Sequence, residues 1–195
     1  PGGGQDVTIL AAMDRAIADI DSGRFADEPA TEAGLKMVIG AILLSNGRLA
    51  DAEALLTQAL ETGRRLAPGH REDLPWGTSQ LGIAKGLLGK RKEAQQLIRQ
   101  ALEMDRRLFP SDHDRISGDL SNLAFVLAPD EAEPLLREAL AMERRLHGDD
   151  SPQVARALGN LGTMMYEAGR HKEAEPLREQ ALAAAEGAQS GDTPY

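Results

Sequence analysis

From Leu10 onward the apolar positions fall three or four residues apart, the period of one face of a helix. Leu10, Met13, Ile17 and Ile20 make the first stripe, which Ser22 and Gly23 end, predicting a helix over 6–21. The same spacing predicts helices over 32–46, 49–67, 75–88, 91–109, 114–128, 130–147, 152–168 and 171–186. The stretch 158–182 shows one whole unit: a helix through Leu158, Leu161 and Met165, a turn at Gly169, and a second helix through Leu177 and Leu182. Gly162, Ala174 and Ala181 are small where two helices approach closely, and Gly169 supplies the left-handed conformation that ends a helix. A hairpin this short cannot bury its apolar face alone, so it implies stacking on neighbours.

Aligning the small residues exposes a repeat. Gly40, Gly82 and Ala124 are 42 apart and Gly162 follows after 38; Ala52, Ala94, Ala132 and Ala174 are separated by 42, 38 and 42. Ala59, Ala101, Ala139 and Ala181 keep the steps of that second series, as do Leu60, Leu102, Leu140 and Leu182. The first small residue precedes the second by 12 positions in units one, two and four, but Ala124 precedes Ala132 by only 8. About one helical turn is therefore missing from unit three, together with the turn glycine present elsewhere as Gly47, Gly89 and Gly169. Ala128, Pro129 and Asp130 are expected to make that turn, shortening one wall and altering the stacking of units three and four.

The resulting organisation is a lead and N-terminal capping helix over 1–30, four units over 31–187 (about 32–73, 74–112, 113–149 and 150–187) and a disordered tail over 188–195. Second helices close in Arg64-Arg65-Leu66, Arg106-Arg107-Leu108 and Arg144-Arg145-Leu146, placing cations where the helix dipole favours them. Asp73 before Pro75, and Ser151 before Pro152, are expected to cap the next helices. Leu56, Ile98 and Leu136 share the second-helix position expected to pack on the following unit; Arg178 stands there in unit four, which predicts a solvated end of the array.

A net charge of −9 and a pI near 5.0 argue against nucleic acid or an anionic membrane as partner. The absence of cysteine excludes disulfides and thiol chemistry while leaving the compartment open. No run approaches the roughly 20 apolar residues of a membrane span, and no signal peptide is visible, so a cytoplasmic protein is expected. The opening PGGGQ, without Met, reads as a flexible lead on an excised piece. Arg outnumbers Lys by 17 to 5, which fits a GC-rich bacterial source.

Candidate chemistry is sparse. His70, His113 and His147 lie in equivalent inter-unit loops, so repetition explains their spacing without a metal, and His171 reads as a solvated or half-packed residue. Asp112, Asp114, Asp149 and Asp150 read as helix caps rather than a calcium loop, and Lys90-Arg91-Lys92 as a solvated turn. Gly77 to Gly82 lacks the Lys-Ser/Thr of a phosphate loop, and no kinase catalytic motif is present. No catalytic residue, metal or cofactor is expected.

The pattern L-x-x-L-G…G-x-x-x-x-A…A-L resembles the tetratricopeptide repeat, and the 42-residue period with Glu-Ala-Glu-Pro-Leu and the Arg-Arg-Leu-x-Gly-Asp-Asp loop resembles the kinesin-light-chain type. The leader, with Asp14-Arg15-Ala16, Gly23-Arg24-Phe25, Pro29 and Ile39-Gly40, is similar to segments that open such repeats attached to bacterial serine/threonine kinases. The resemblance implies an all-α, right-handed superhelix (an α-α solenoid) of four helical hairpins plus a capping helix. It implies a non-enzymatic scaffold whose first helices line a groove for a peptide or protein segment; the competing reading is a regulatory or self-association appendage of a larger signalling enzyme such as a protein kinase. Carried over position by position, the groove comprises Trp76, Gln80, Ile83, Asn122, Phe125, Arg156, Asn160 and Tyr166, with Met37, Val38, Ala41, Leu44, Ser121 and Thr163 at further groove positions. Gln80, Asn122 and Asn160 share one register position. Their amides can clamp a peptide backbone or, alternatively, hydrogen-bond neighbouring helices. Trp76 and Phe125 are candidates for anchors or for plain packing.

Overall fold

The computed structural model describes residues 9–66 and 73–191. The lead over 1–8, the loop with His70 and the last four residues lie outside that set. Among the described residues the structure is helical throughout: α1 (Ile9–Asp21), α2 (Pro29–Ser45), α3 (Leu49–Arg65), α4 (Leu74–Leu87), α5 (Arg91–Leu108), α6 (Asp114–Phe125), α7 (Pro129–His147), α8 (Pro152–Glu167) and α9 (His171–Gly191). The chain divides into two compact units, 1–97 and 98–195.

In the first unit, α2 and α3 form a hairpin with α1 laid against it. Ile20 joins Ile39, Leu43, Ala52 and Leu55 in one core, with Met13, Ile17 and Phe25 packed on its edge, so the capping role expected of the first helix has a physical basis. A second core joins Met37, Leu56, Ala59, Leu60 and Leu81. Leu56 is fully buried and lies over Gly40 of its own hairpin, where an added Cβ would come within 2.8 Å of its Cγ. Its register position thus serves the hairpin itself as well as the following helix. In the second unit α6 to α9 enclose Leu136, Leu140, Val154, Leu158, Leu161, Met165, Ala174 and Ala184.

Three hairpin turns share one solution. Gly47, Gly89 and Gly169 adopt φ of +77°, +80° and +76°, and the following N–H reaches back five residues, as in Arg48 to the Leu43 carbonyl at 2.9 Å and Arg170 to that of Met165 at 2.9 Å. The third turn differs. Its three residues, Val126 to Ala128, match the other connections in length, Pro129 already opens α7, and no left-handed residue is present. The deletion is therefore absorbed by α6, which has 12 residues against 17, 14 and 16 in α2, α4 and α8, and the turn lies two residues earlier than expected.

The caps depart from expectation in three places. Ser151 Oγ accepts from the Val154 N–H at 3.3 Å, as expected. Asp73 makes no cap, because its φ of −90° and ψ of −5° are those of a helical residue, which does not aim the carboxylate at the following N–H groups. His113, not Asp114, caps α6: its Nδ1 accepts from the Arg115 N–H at 3.2 Å, while Asp114 is already inside the first turn. Finally, α9 runs to Gly191, past the tail boundary at 188. Gly187 does not terminate it; it is small because an added Cβ would meet the Asp150 side chain at 3.0 Å.

Candidate protein-binding surface

On α4, residues 75, 77–79, 81, 82 and 84 are buried, whereas Trp76, Gln80 and Ile83 form the partly open stripe between them. Trp76 rests against the Met37, Leu56 and Leu60 core, so its ring is a packing residue with one open edge. Met37 is a correction: only 5 % exposed, it belongs to the core and not to a groove, while Val38 beside it is 52 % exposed.

In the second unit, α6 buries Ile116, Ser117, Asp119, Leu120, Leu123 and Ala124 and leaves Ser121, Asn122 and Phe125 as its open stripe. Phe125 is 57 % exposed, a large cost for a phenyl ring unless something else covers it. On α8, Val154, Ala157, Leu158, Leu161 and Met165 are buried, and Arg156, Asn160 and Thr163 are exposed at three- and four-residue intervals. Arg156 stands 3.5 Å from Glu143 Oε1 with its side chain 64 % exposed. Tyr166 is engaged differently: its ring meets His171 edge-on at 4.5 Å, and the Arg178 guanidinium lies over it, also at 4.5 Å. These residues, with Leu182, border a hollow of about 520 Å³ on the α8–α9 hairpin. Arg178 keeps the register of Leu56 by laying its methylenes on Gly162, where a Cβ would come within 3.3 Å of its Cγ, and carries its charge out to Tyr166.

The basic residues after the turn glycines are not merely solvated. Lys90 Nζ donates to both oxygens of Glu53 at 2.8 Å, Lys85 also reaches Glu53 at 2.9 Å, and the paired lysines hold the Glu53 carboxyl below its usual range. Arg170 likewise bridges Glu133 and Glu173, and Arg48 bridges Asp14 and Asp51. Each ties a turn to the helix one hairpin earlier. In unit three the two positions of this clamp are Ala128 and Gln95.

A buried polar network was not anticipated. Asp105 and Asp119 are 1 % and 4 % exposed, and Arg115 Nε donates to Asp105 Oδ2 at 3.2 Å. Burial pushes the Asp105 carboxyl up against the opposing pull of Arg115 and a hydrogen bond with Asp119. Glu143, 2 % exposed, accepts from Ser117 Oγ. The available signal was a register break: four residues after the small Ala59, Ala101, Ala139 and Ala181 stand Gly63, Asp105, Glu143 and Ala185. Gly63 lets Leu74 approach, where a Cβ would lie 2.6 Å from Leu74 Cδ2; Asp105 and Glu143 meet Arg115 and Arg156 instead.

The sequence matches the tetratricopeptide repeat family over residues 32–107 and 120–187. None of the curated proteins compared matches it. Among solved structures, BtubC (BKLC) from P. vanneervenii is similar with a TM-score of 0.73 at 23 % identity, over 96 % of this chain and 78 % of that one. A variant of the Podosopora anserina protein assigned as a kinesin light chain with nearly identical TPR-like repeats gives 0.73 at 18 %, over 91 % and 89 %. MamA gives 0.52 at 16 %, over 94 % and 98 %. Among the described residues no helix is long and apolar enough to cross a membrane. With the repeat register, the glycine turns and the helical hairpins all of that type, this chain belongs to the tetratricopeptide repeat family, in an all-α solenoid fold.

Proposed function

We propose that the chain is a non-enzymatic interaction scaffold that receives a peptide or protein segment on the open stripes of its first helices. Tetratricopeptide repeats commonly serve as protein-interaction scaffolds, which supports the coarse reading. The finer reading rests on one observation: Phe125 is left 57 % exposed next to Asn122 on the stripe of α6 that the core does not use. A phenyl ring beside an amide matches what an extended peptide presents, an apolar side chain and a backbone that both donates and accepts. On α8, Asn160 repeats the amide and Arg156 adds a cation suited to an acidic side chain or terminus.

The test is a peptide-array or pull-down screen on the full chain, with the Asn122→Ala, Asn160→Ala double variant and Phe125→Ala as controls. Binders should lose at least roughly tenfold in affinity in either variant, of the order expected when an interface hot spot is truncated. Partners that bind the parent and both variants equally would refute the placement of the site on α6 and α8.

A further inference from the structure

Where α6 begins and α7 ends, Asp114, Glu143 and His147 bring three ligand atoms within 4.8 Å of one another, the one such group among the described residues. Glu143 and His147 are one helical turn apart on α7, so both side chains leave the same face. Asp114 enters from the first turn of α6, and His147 Nε2 lies 2.5 Å from its Oδ1 and 3.4 Å from Glu143 Oε2.

The Glu143 carboxylate is the telling member. Its side chain is 3 % exposed, and its Oε1 is occupied, accepting from Ser117 Oγ with Arg156 at 3.5 Å. Its Oε2 is buried with no hydrogen-bond partner and faces the imidazole. A buried carboxylate oxygen left in this way is costly to desolvate, and a cation between it and the imidazole removes that cost.

We infer that Asp114, Glu143 and His147 form a three-ligand site for a divalent transition-metal ion of the zinc type. One imidazole nitrogen with two carboxylates suits zinc, cobalt or nickel rather than calcium or magnesium, which favour all-oxygen shells. With metal–ligand bonds of about 2.0–2.2 Å, tetrahedral ligands sit roughly 3.3 Å apart. The His147–Glu143 separation of 3.4 Å already meets this, whereas the 2.5 Å to Asp114 is a hydrogen bond that must lengthen by about 0.8 Å. Asp114 can make that move because its side chain is 59 % exposed. The ion takes the place of the proton between His147 Nε2 and Asp114 Oδ1, the neutral imidazole carrying its proton on Nδ1 after exchange through solvent, and one coordination position stays open for water or a partner's carboxylate.

The probe is zinc chloride titrated calorimetrically into the full chain, with cobalt(II) absorption reporting coordination. One ion per chain is expected, with affinity at least roughly tenfold weaker in His147→Gln and in Asp114→Asn and unchanged in the remote His171→Gln; lost ligands typically cost that much. Neither His147 nor Asp114 is buried, and far-UV circular dichroism of each variant confirms its fold. Absence of stoichiometric zinc binding overturns the assignment, as does binding kept within twofold in both ligand variants or lost in His171→Gln.

Discussion

Gly40 and Gly162 occupy the same repeat position, yet replacing each by alanine is predicted to move stability in opposite directions. Away from tertiary contacts, Gly→Ala inside a helix gains about 1 kcal/mol. At Gly40 the new Cβ would lie 2.8 Å from Leu56 Cγ and 3.1 Å from its Cδ2, against the ~3.5–4.0 Å of a relaxed carbon contact. Leu56 is 0 % exposed and cannot yield about 1 Å without disturbing Leu60 and Leu81. Overpacking of this kind costs roughly 1–3 kcal/mol, leaving Gly40→Ala neutral to about 2 kcal/mol less stable. At Gly162 the nearest atoms are Arg178 Cγ at 3.3 Å and Leu177 Cβ at 3.4 Å, and Arg178 is exposed and free to rotate outward. Even if its stacking on Tyr166 is lost, at about 0.5–1 kcal/mol for an exposed cation–π pair, the helical gain offsets it. The two variants should therefore differ by about 2 kcal/mol, or roughly 4–8 °C in Tm for a chain of this size. Thermal and urea melts followed by circular dichroism measure this, with hydrogen exchange to locate the loosened hairpin. If both variants shift the same way by similar amounts, the reasoning that Arg178 makes the last hairpin tolerant is wrong.

Three further outcomes follow from the charged groups. Burial raises the Asp105 pKa, so its neutral form is favoured by folding: its contribution is present below the unfolded aspartate value and is lost as pH rises through the folded one. Asp105→Asn should accordingly gain on the parent between pH 4 and pH 7 in melting temperature, and a pH-independent gap would refute that. Arg115→Ala should cost about 3–5 kcal/mol, because it strips the guanidinium from the buried Asp105 carboxylate; a loss below about 1 kcal/mol would show the cluster to be hydrated. Glu53→Gln should cost about 1 kcal/mol at low salt and less at high salt, since it removes the acceptor shared by Lys85 and Lys90; a salt-independent loss would point to packing instead.

Much of the fold was legible because close helix approach is intolerant of size. Gly40 under Leu56 and Gly162 under Arg178 fix where one helix crosses the other, and that intolerance repeats with the hairpin. The open stripes on which binding is proposed were legible for the same reason: positions the core leaves open on α4, α6 and α8 are those not needed for crossing. Met37 was misplaced because a long flexible side chain on the margin of a stripe can fold inward, here against Gly77, where a Cβ would lie 2.8 Å from its sulfur. Capping at Asp73 and His113 depended on backbone angles that residue type does not set. The partners of Asp105 and Glu143 come from the starts of other helices, so the register break marked the positions without naming what they meet.

The third repeat shows why such breaks matter. Its hairpin lost a helical turn, the left-handed glycine and the basic residue that in other repeats ties the turn to an earlier helix. Those losses all fall at the turn end of α6. At the opposite end the same helix gains a His113 cap, an Arg115 bound to Asp105, a Ser117 donating to Glu143, and Asp114 facing His147. These contacts are directional where apolar ridges can slide, so they fix a shortened helix that buries less surface of its own. The same end of α6 therefore holds both the network that positions it and the three groups suited to a metal ion, while its partly open stripe carries Asn122 and Phe125. A ligand at the first end stabilises the helix that presents the second, so zinc should slow hydrogen exchange along α6 and tighten any partner that Phe125→Ala weakens.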